Sequence, residues 1–88
     1  MGSYKVAFKS SASTELRKLP AEIIKRVGVR IDQFENTPFP SGAERLKAYN
    51  NPTIYRIRVG DYRILYSVDT SQKVVIIHAV AHRREVYR

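Results

Sequence analysis

The segment YRIRVGDYRILYSV, from Tyr55 to Val68, constrains this chain more than any other. Gly60-Asp61 stands between two runs in which apolar and polar residues alternate, the pattern of a β-hairpin closed by a two-residue turn. Such a turn sets the register: Val59 opposite Tyr62, Arg58 opposite Arg63, Ile57 opposite Ile64, Arg56 opposite Leu65. Side chains alternate faces along a strand, so Arg56, Arg58 and Arg63 share one face. Tyr55, Ile57, Val59, Tyr62, Ile64 and Tyr66 take the other. Like charges directly opposite each other destabilise a sheet. Arg58 facing Arg63 therefore calls for compensation, and a bound polyanion would supply it.

The flanking sequence supplies the rest of a small fold. Tyr4, Val6 and Phe8 alternate with Lys5, Ala7 and Lys9 and read as a first strand. Ser10 and Ser11 offer N-caps for a short helix carrying Leu16 and Leu19. Pro20 suits the first position of a second helix, whose Ile23, Ile24, Val27, Ile31 and Phe34 form one stripe. Gly28 weakens that helix by about 1 kcal/mol relative to Ala, and a close approach to the first helix or the sheet would account for it. Asn36-Thr37-Pro38 ends the helix. Glu44 to Tyr49 reads either as a helical turn or as an extended lead-in, and Asn50-Asn51-Pro52 as a turn. After the hairpin, Asp69 to Gln72 forms a second turn. A last strand runs from about Lys73 to His82, with Val74-Val75-Ile76-Ile77 suggesting burial on both faces.

The order β-α-α-β-β-β predicts one α+β domain over residues 1–88. Its two helices cover one face of a small, mostly antiparallel four-stranded sheet, and the natural face for them is that of Ile57, Val59 and Ile64. The arginine face is left open. If Ser67 lies near Val75, odd-numbered residues of the last strand join the arginines and Arg83 sits beside them; a slip of one residue puts His82 there instead.

Charge agrees with an anionic target. Lys and Arg number 16 against 8 Asp and Glu, a formal charge of +8 in 88 residues. That balance favours nucleic acid, an anionic surface or an acidic partner. Arg outnumbers Lys, and its planar fork suits phosphate. Cysteine is absent, which excludes disulfides, thiolate catalysis and Cys-based zinc sites and fits a reducing cytoplasm. No apolar run approaches the roughly 20 residues that span a bilayer. No His/Asp/Glu spacing suggests a metal site, no Gly-rich loop cradles phosphate, and no cofactor is expected.

With these residues in view, the chain resembles the RelE/ParE toxin superfamily, nearest its RelE branch of ribosome-dependent mRNA endoribonucleases. The resemblance rests on the element order, on Leu46-Lys47 ahead of the hairpin, on Tyr55 to Tyr66, and on the ending His82-Arg83-Arg84-Glu85-Val86-Tyr87. It implies a type II toxin that enters the ribosomal A site and cuts mRNA without a metal. In such toxins the RNA 2′-hydroxyl attacks the adjacent phosphate, leaving a 2′,3′-cyclic phosphate and a 5′-hydroxyl. It also implies a RelB-like antitoxin, acidic where it binds a toxin of this charge. Carried over by position, the catalytic set is Arg56, Arg58, Arg63, Arg83 and Tyr87. Arg58 and Arg63 would stabilise charge on the phosphoryl oxygens, Arg83 would neutralise the leaving oxygen, and Tyr87 would meet a splayed base. Arg45, Lys47, Lys73 and Arg84 would hold RNA phosphates. Taken alone, Arg83-Arg84 reads as an ordinary basic tail.

One departure bears on mechanism. Well-known RelE members carry lysines where this chain has Arg56 and Arg58. Arginine stays protonated, with a pKa above about 12, and makes a poor general base. His82, with an ordinary pKa near roughly 6.5, is the sequence candidate for that proton transfer. His78 shares a strand face with Ile76 and Val80 and reads as a satisfied, partly buried side chain. Two other functions compete with the nuclease: a ParE-like inhibitor of DNA gyrase, and a weakly active homologue that works in regulating its operon.

Overall fold

The computed structural model describes residues 3–82, for residues 48 and 49 the backbone alone. The elements run β1 (Lys5–Phe8), α1 (Ser10–Arg17), α2 (Ala21–Gln33), β2 (Glu44–Asn50), β3 (Thr53–Val59), β4 (Tyr62–Asp69) and β5 (Val74–His82). The sheet has five strands in the order β1-β5-β4-β3-β2, one more than the four expected. The additional strand is the ambiguous stretch from Glu44. Its charged residues hide a strand pattern, but pairing with β3 sets Glu44 opposite Arg56 and Leu46 opposite Ile54. All neighbours are antiparallel except β1 and β5, which run parallel, with Val6 beside Val75.

The hairpin closes as its sequence dictates. Val59 pairs with Tyr62, Arg58 with Arg63, Ile57 with Ile64 and Arg56 with Leu65. Gly60 takes a positive φ of 60°, the conformation that a tight hairpin turn requires and that a Cβ resists. A Cβ there would also meet the Arg26 guanidinium at 3.4 Å, so α2 lies against the hairpin tip.

One face of the sheet is the core. Ile57, Val59, Ile64, Tyr66, Val75, Ile77 and Val80 pack with Ala12, Val27, Ile31 and Phe34 from the helical side. The stripe predicted on α2 thus buries Val27, Ile31 and, just past the helix end, Phe34. Tyr66 is the largest fully buried side chain. Its ring lies 4.3 Å from that of Phe34 and 5.8 Å from that of Tyr55, centroid to centroid. Its hydroxyl donates to the Pro38 carbonyl at 2.9 Å, which meets the need of a buried phenol for a partner. Burial, then the neighbouring Tyr55, pushes its pKa up to about 12.

Several local expectations change. Neither Ser10 nor Ser11 caps α1: the N-cap position is Lys9, with no side-chain cap bond. Ser10 instead lies inside the first turn, where its carbonyl accepts a bond from the Thr14 hydroxyl at 3.1 Å. Pro20 stands at the N-cap of α2, one place before the position expected. In β5, Val75 and Ile77 are fully buried but Val74 and Ile76 are only partly so. The second face of that strand is not covered, because both helices pack on the first.

The β4–β5 register also differs from expectation. Near the turn Ser67 pairs with Ile76, not Val75. Between Tyr66–Ile77 and Leu65–Ala79 the register shifts, so His78 is the extra residue of a β-bulge. Beyond it Arg63 pairs with Ala81 and Tyr62 with His82. The bulge restores odd-numbered residues to the arginine face at Ala79 and Ala81.

β1 pairs with β5 only as far as Ile77, and α1 covers the edge beyond. There the Val80 amide donates to Glu15 Oε1 at 3.1 Å. A carboxylate so placed satisfies an amide that the short edge strand leaves behind.

Gly28 finds no crowding: a Cβ built on it meets nothing within 4 Å outside its own helix. The close approach expected from sequence is absent. Gly28→Ala should therefore stabilise the fold by up to about 1 kcal/mol, seen as a higher urea midpoint with an unchanged slope.

Candidate RNA-binding face

The uncovered side of the sheet gathers the hairpin arginines. Arg63, on β4, is buried to 9% exposure, the Arg56 side chain is nearly as enclosed at 11%, and Arg58 is exposed. Arg63 lies between Arg58 on one neighbouring strand and Ala81 on the other. Ala81 and the nearby Ala79 are small neighbours on β5, and the Arg63 Nε is buried.

Sequence reasoning missed a carboxylate on this face. Glu44 of β2 sits opposite Arg56 and accepts a hydrogen bond from its Nη2 at 2.6 Å, a charge-assisted contact. That hydrogen bond, then the charge of Arg56 and more weakly of Arg58 and Arg63, holds the Glu44 carboxyl below its ordinary pKa of 4.5. The signal lay in the pairing: once Glu44 to Leu46 is read as a strand, its acid falls beside Arg56. The cluster is therefore one exposed cation, two largely buried cations and one anion already ionised at neutral pH.

The other predicted positions scatter. Arg45 pairs with Tyr55, so its Cβ lies on the helix-covered side, and its Nη2 donates to Asn50 Oδ1 at 3.4 Å. Lys47 is exposed on β2. Lys73 sits in the β4–β5 turn with φ 56°. That turn lies at the opposite end of β4 from Gly60-Asp61, roughly 20 Å along the strand at about 3.3 Å per residue. His82 pairs with Tyr62 on the face opposite the arginines, its ring edge-on to that of Tyr62 at 5.3 Å. The bulge at His78 produces that placement, and with it His82 is not brought among the arginines. Arg83, Arg84 and Tyr87 lie outside the described residues. His78 is partly buried and bonded as expected, with Nε2 2.7 Å from Ser67 Oγ, but it does not share the face of Val80: the bulge leaves it beside Ser67 on the arginine side while Val80 faces the core.

A further basic group lies around the hairpin tip. Arg26 and Arg30, one helical turn apart on α2, line a shallow hollow with Arg58, Val29, Val59 and Gly60. Their i, i+4 spacing was visible in the sequence, but nothing there placed them against the hairpin. Among the described residues no three His, Asp or Glu side chains stand close enough to hold a metal, and no helix is long and apolar enough to cross a membrane.

A small α+β domain that leaves one sheet face open and lines it with strand-borne arginines belongs to a recognisable class, the RelE/ParE toxins. Residues 6–87 match the family model described as the ParE toxin of type II toxin-antitoxin system, parDE, and the chain is a member of that superfamily, of RelE type. Toxin RelE3 of Methanocaldococcus jannaschii is 31% identical over 87 residues, covering 94% of each chain. Toxin RelG of Mycobacterium tuberculosis is 30% identical over 86 residues, covering 97% of each. The toxin chain of the archaeal RelE-RelB complex from Pyrococcus horikoshii superposes with a TM-score of 0.80 at 29% identity, over 94% of this chain and 98% of that one.

The ion pair sets a sign for pH dependence. A depressed carboxyl pKa contributes stability that is complete above the ordinary value of 4.5 and is lost as pH falls through the lowered folded value. A pH titration followed by carboxyl NMR should place the Glu44 midpoint below 4.5, and Arg56→Gln should return it toward 4.5. An unmoved midpoint in that variant would show that the pair is not the cause.

Proposed function

We propose that this toxin is a ribosome-dependent endoribonuclease that cuts mRNA in the A site. The observation that carries the reading is the convergence of Arg56, Arg58 and Arg63 on one open sheet face with a carboxylate among them. Arginine forks match phosphate geometry, and a partly buried guanidinium acts on developing charge more strongly than one in bulk water.

The chemistry assigns each group a task. The 2′-oxygen forms a bond to phosphorus as the 5′-oxygen leaves, giving a cyclic phosphate and a 5′-hydroxyl. Arg58 and Arg63 stabilise the charge that accumulates on the phosphoryl oxygens. Arg56 and Glu44 act as a pair. A phosphate that engages Arg56 competes with the Glu44 carboxylate, and as that contact loosens the cause of the depressed pKa is withdrawn. Glu44 then regains basicity when substrate is seated, and can accept the 2′-hydroxyl proton that no arginine can take. Glu44 replaces His82 as the favoured base, since His82 lies on the opposite face. Arg83 and Tyr87 keep their proposed roles at the leaving oxygen and at the neighbouring base, and Arg45, Lys47, Lys73 and Arg84 serve as outlying phosphate contacts.

The partner reading follows from the relatives. The Pyrococcus structure is a RelE-RelB complex, and a +8 chain suits a cognate antitoxin whose binding segment is acidic. A second reading is kept alive by the family model itself, which is that of ParE toxins: inhibition of DNA gyrase by binding.

Purified protein added to programmed ribosomes, with mRNA 5′ ends mapped, separates the two. Cuts within the A-site codon are expected. Arg63→Ala should lower the cleavage rate by about a hundredfold or more, the scale of one lost transition-state donor. Arg63 is buried, so the exposed Arg58→Ala is the companion variant, expected to fall in rate with its thermal midpoint unchanged. Glu44→Gln should lose rate chiefly at neutral pH. Intact mRNA with blocked DNA supercoiling would move the assignment to gyrase.

A further inference from the structure

We propose that a cavity beside the arginines receives one base of the single-stranded RNA whose phosphate they hold. The inference deepens the nuclease reading and rests on it. The cavity measures about 480 Å³ and opens on the uncovered sheet face, within the range of sites that enclose a small ligand. Its floor is apolar, formed by Ile54, Leu65 and Pro52, and its rim carries Lys9, Asn51 and His78.

Position ties it to the arginines. Leu65 pairs directly with Arg56. Ile54 precedes Arg56 by two residues on β3, and Leu65 follows Arg63 by two on β4, about 7 Å along each strand. That distance is of the order of one extended nucleotide. A chain with its phosphate on the arginines reaches the cavity with the base next to it, without crossing an edge of the sheet.

The chemistry fits a base better than a charged ligand or a protein side chain. Leu65 and Pro52 offer apolar surface to a ring face, while an Asn amide presents both a donor and an acceptor to a base edge. Among the described residues no carboxylate lines the cavity itself; Asp69 lines the hollow that adjoins it, and Lys9, common to both, attracts an RNA backbone. His78 is held by Ser67 at 2.7 Å, which fixes its ring on the wall. Burial, and then the Lys9 charge, lower its pKa, so at neutral pH the wall presents a neutral imidazole that can stack or hydrogen-bond. The bulge in β5 is what places His78 here, as the residue left over between two paired segments.

The test uses isotope-labelled protein and single-stranded trinucleotides blocked by 2′-deoxyribose at the cleavable position, with each of the four bases in turn beside the phosphate. Backbone amides of Lys9, Asn51, Ile54 and His78 should shift together with those of Arg56 and Arg63, and one base should bind better than the others. Lys9→Gln combined with Asn51→Ala should weaken that binding by about tenfold, the scale of one lost hydrogen bond, and flatten the base preference. Arginine amides that shift while cavity amides stay still would overturn the subsite and leave the phosphate reading standing. Shifts in neither group would overturn both. Cavity amides that respond to an acidic peptide but not to RNA would make this a protein-docking hollow and overturn the proposal.

Discussion

Ile57 faces Ile64 across the hairpin, and both are closed off from water beneath α2. That apolar pair holds the adjacent Arg58–Arg63 pair in place on the other face, against the repulsion of two like charges. A slip of one residue would exchange the faces, expose the isoleucines and bury the arginines. Burying two isoleucine side chains is worth about 3–6 kcal/mol, while a cross-strand charge clash costs on the order of 1 kcal/mol or less. The core therefore wins, and the arginines are presented together as a consequence of what lies behind them.

Glu44 changes what that presentation means. With the acid opposite Arg56, the face is not uniformly positive: one cation has an internal counterion, one is exposed and one is mostly enclosed. Such a face can be selective. A weakly held anion must displace a carboxylate that is already bonded at 2.6 Å, whereas a polyanion that meets Arg58 and Arg63 at the same time gains contacts that Glu44 does not contest.

Much of this was legible in the sequence where a short-range rule applied. Gly60-Asp61 dictated the hairpin and its pairs, and helical spacing located Val27, Ile31 and Phe34. The superfamily followed from the hairpin and the chain ending together. What escaped depended on long-range partners. Glu44 to Tyr49 reads as a helical turn or an extended lead-in until β3 supplies a neighbour, so the fifth strand and the carboxylate at the site were missed together. The bulge at His78 follows from the need to satisfy a turn at one end of β5 and a buried Val80 at the other, and no local pattern announces it. The face of His82 stayed open in the sequence for the same reason, since it depends on that one extra residue. Gly28 marks the opposite failure: a spacing cue was given a reason that the packing does not contain.

The bulge also gives β5 a point at which chain length can change without a change of facing. Tyr66 pairs with Ile77 and Leu65 with Ala79, so deleting the residue at 78 would join the two segments into an unbroken ladder. Ile77 and Val80 would still face the core, and Ala79 and Ala81 would still lie beside the arginines. What would be lost is the imidazole bonded to Ser67. The loss of Val80 itself would act differently: Ala81 would come opposite Ile64 and His82 opposite Arg63, emptying part of the core and changing the phosphate face together. Tolerance to single-residue deletion should accordingly change abruptly along one strand, from a permissive histidine to an intolerant valine two residues on.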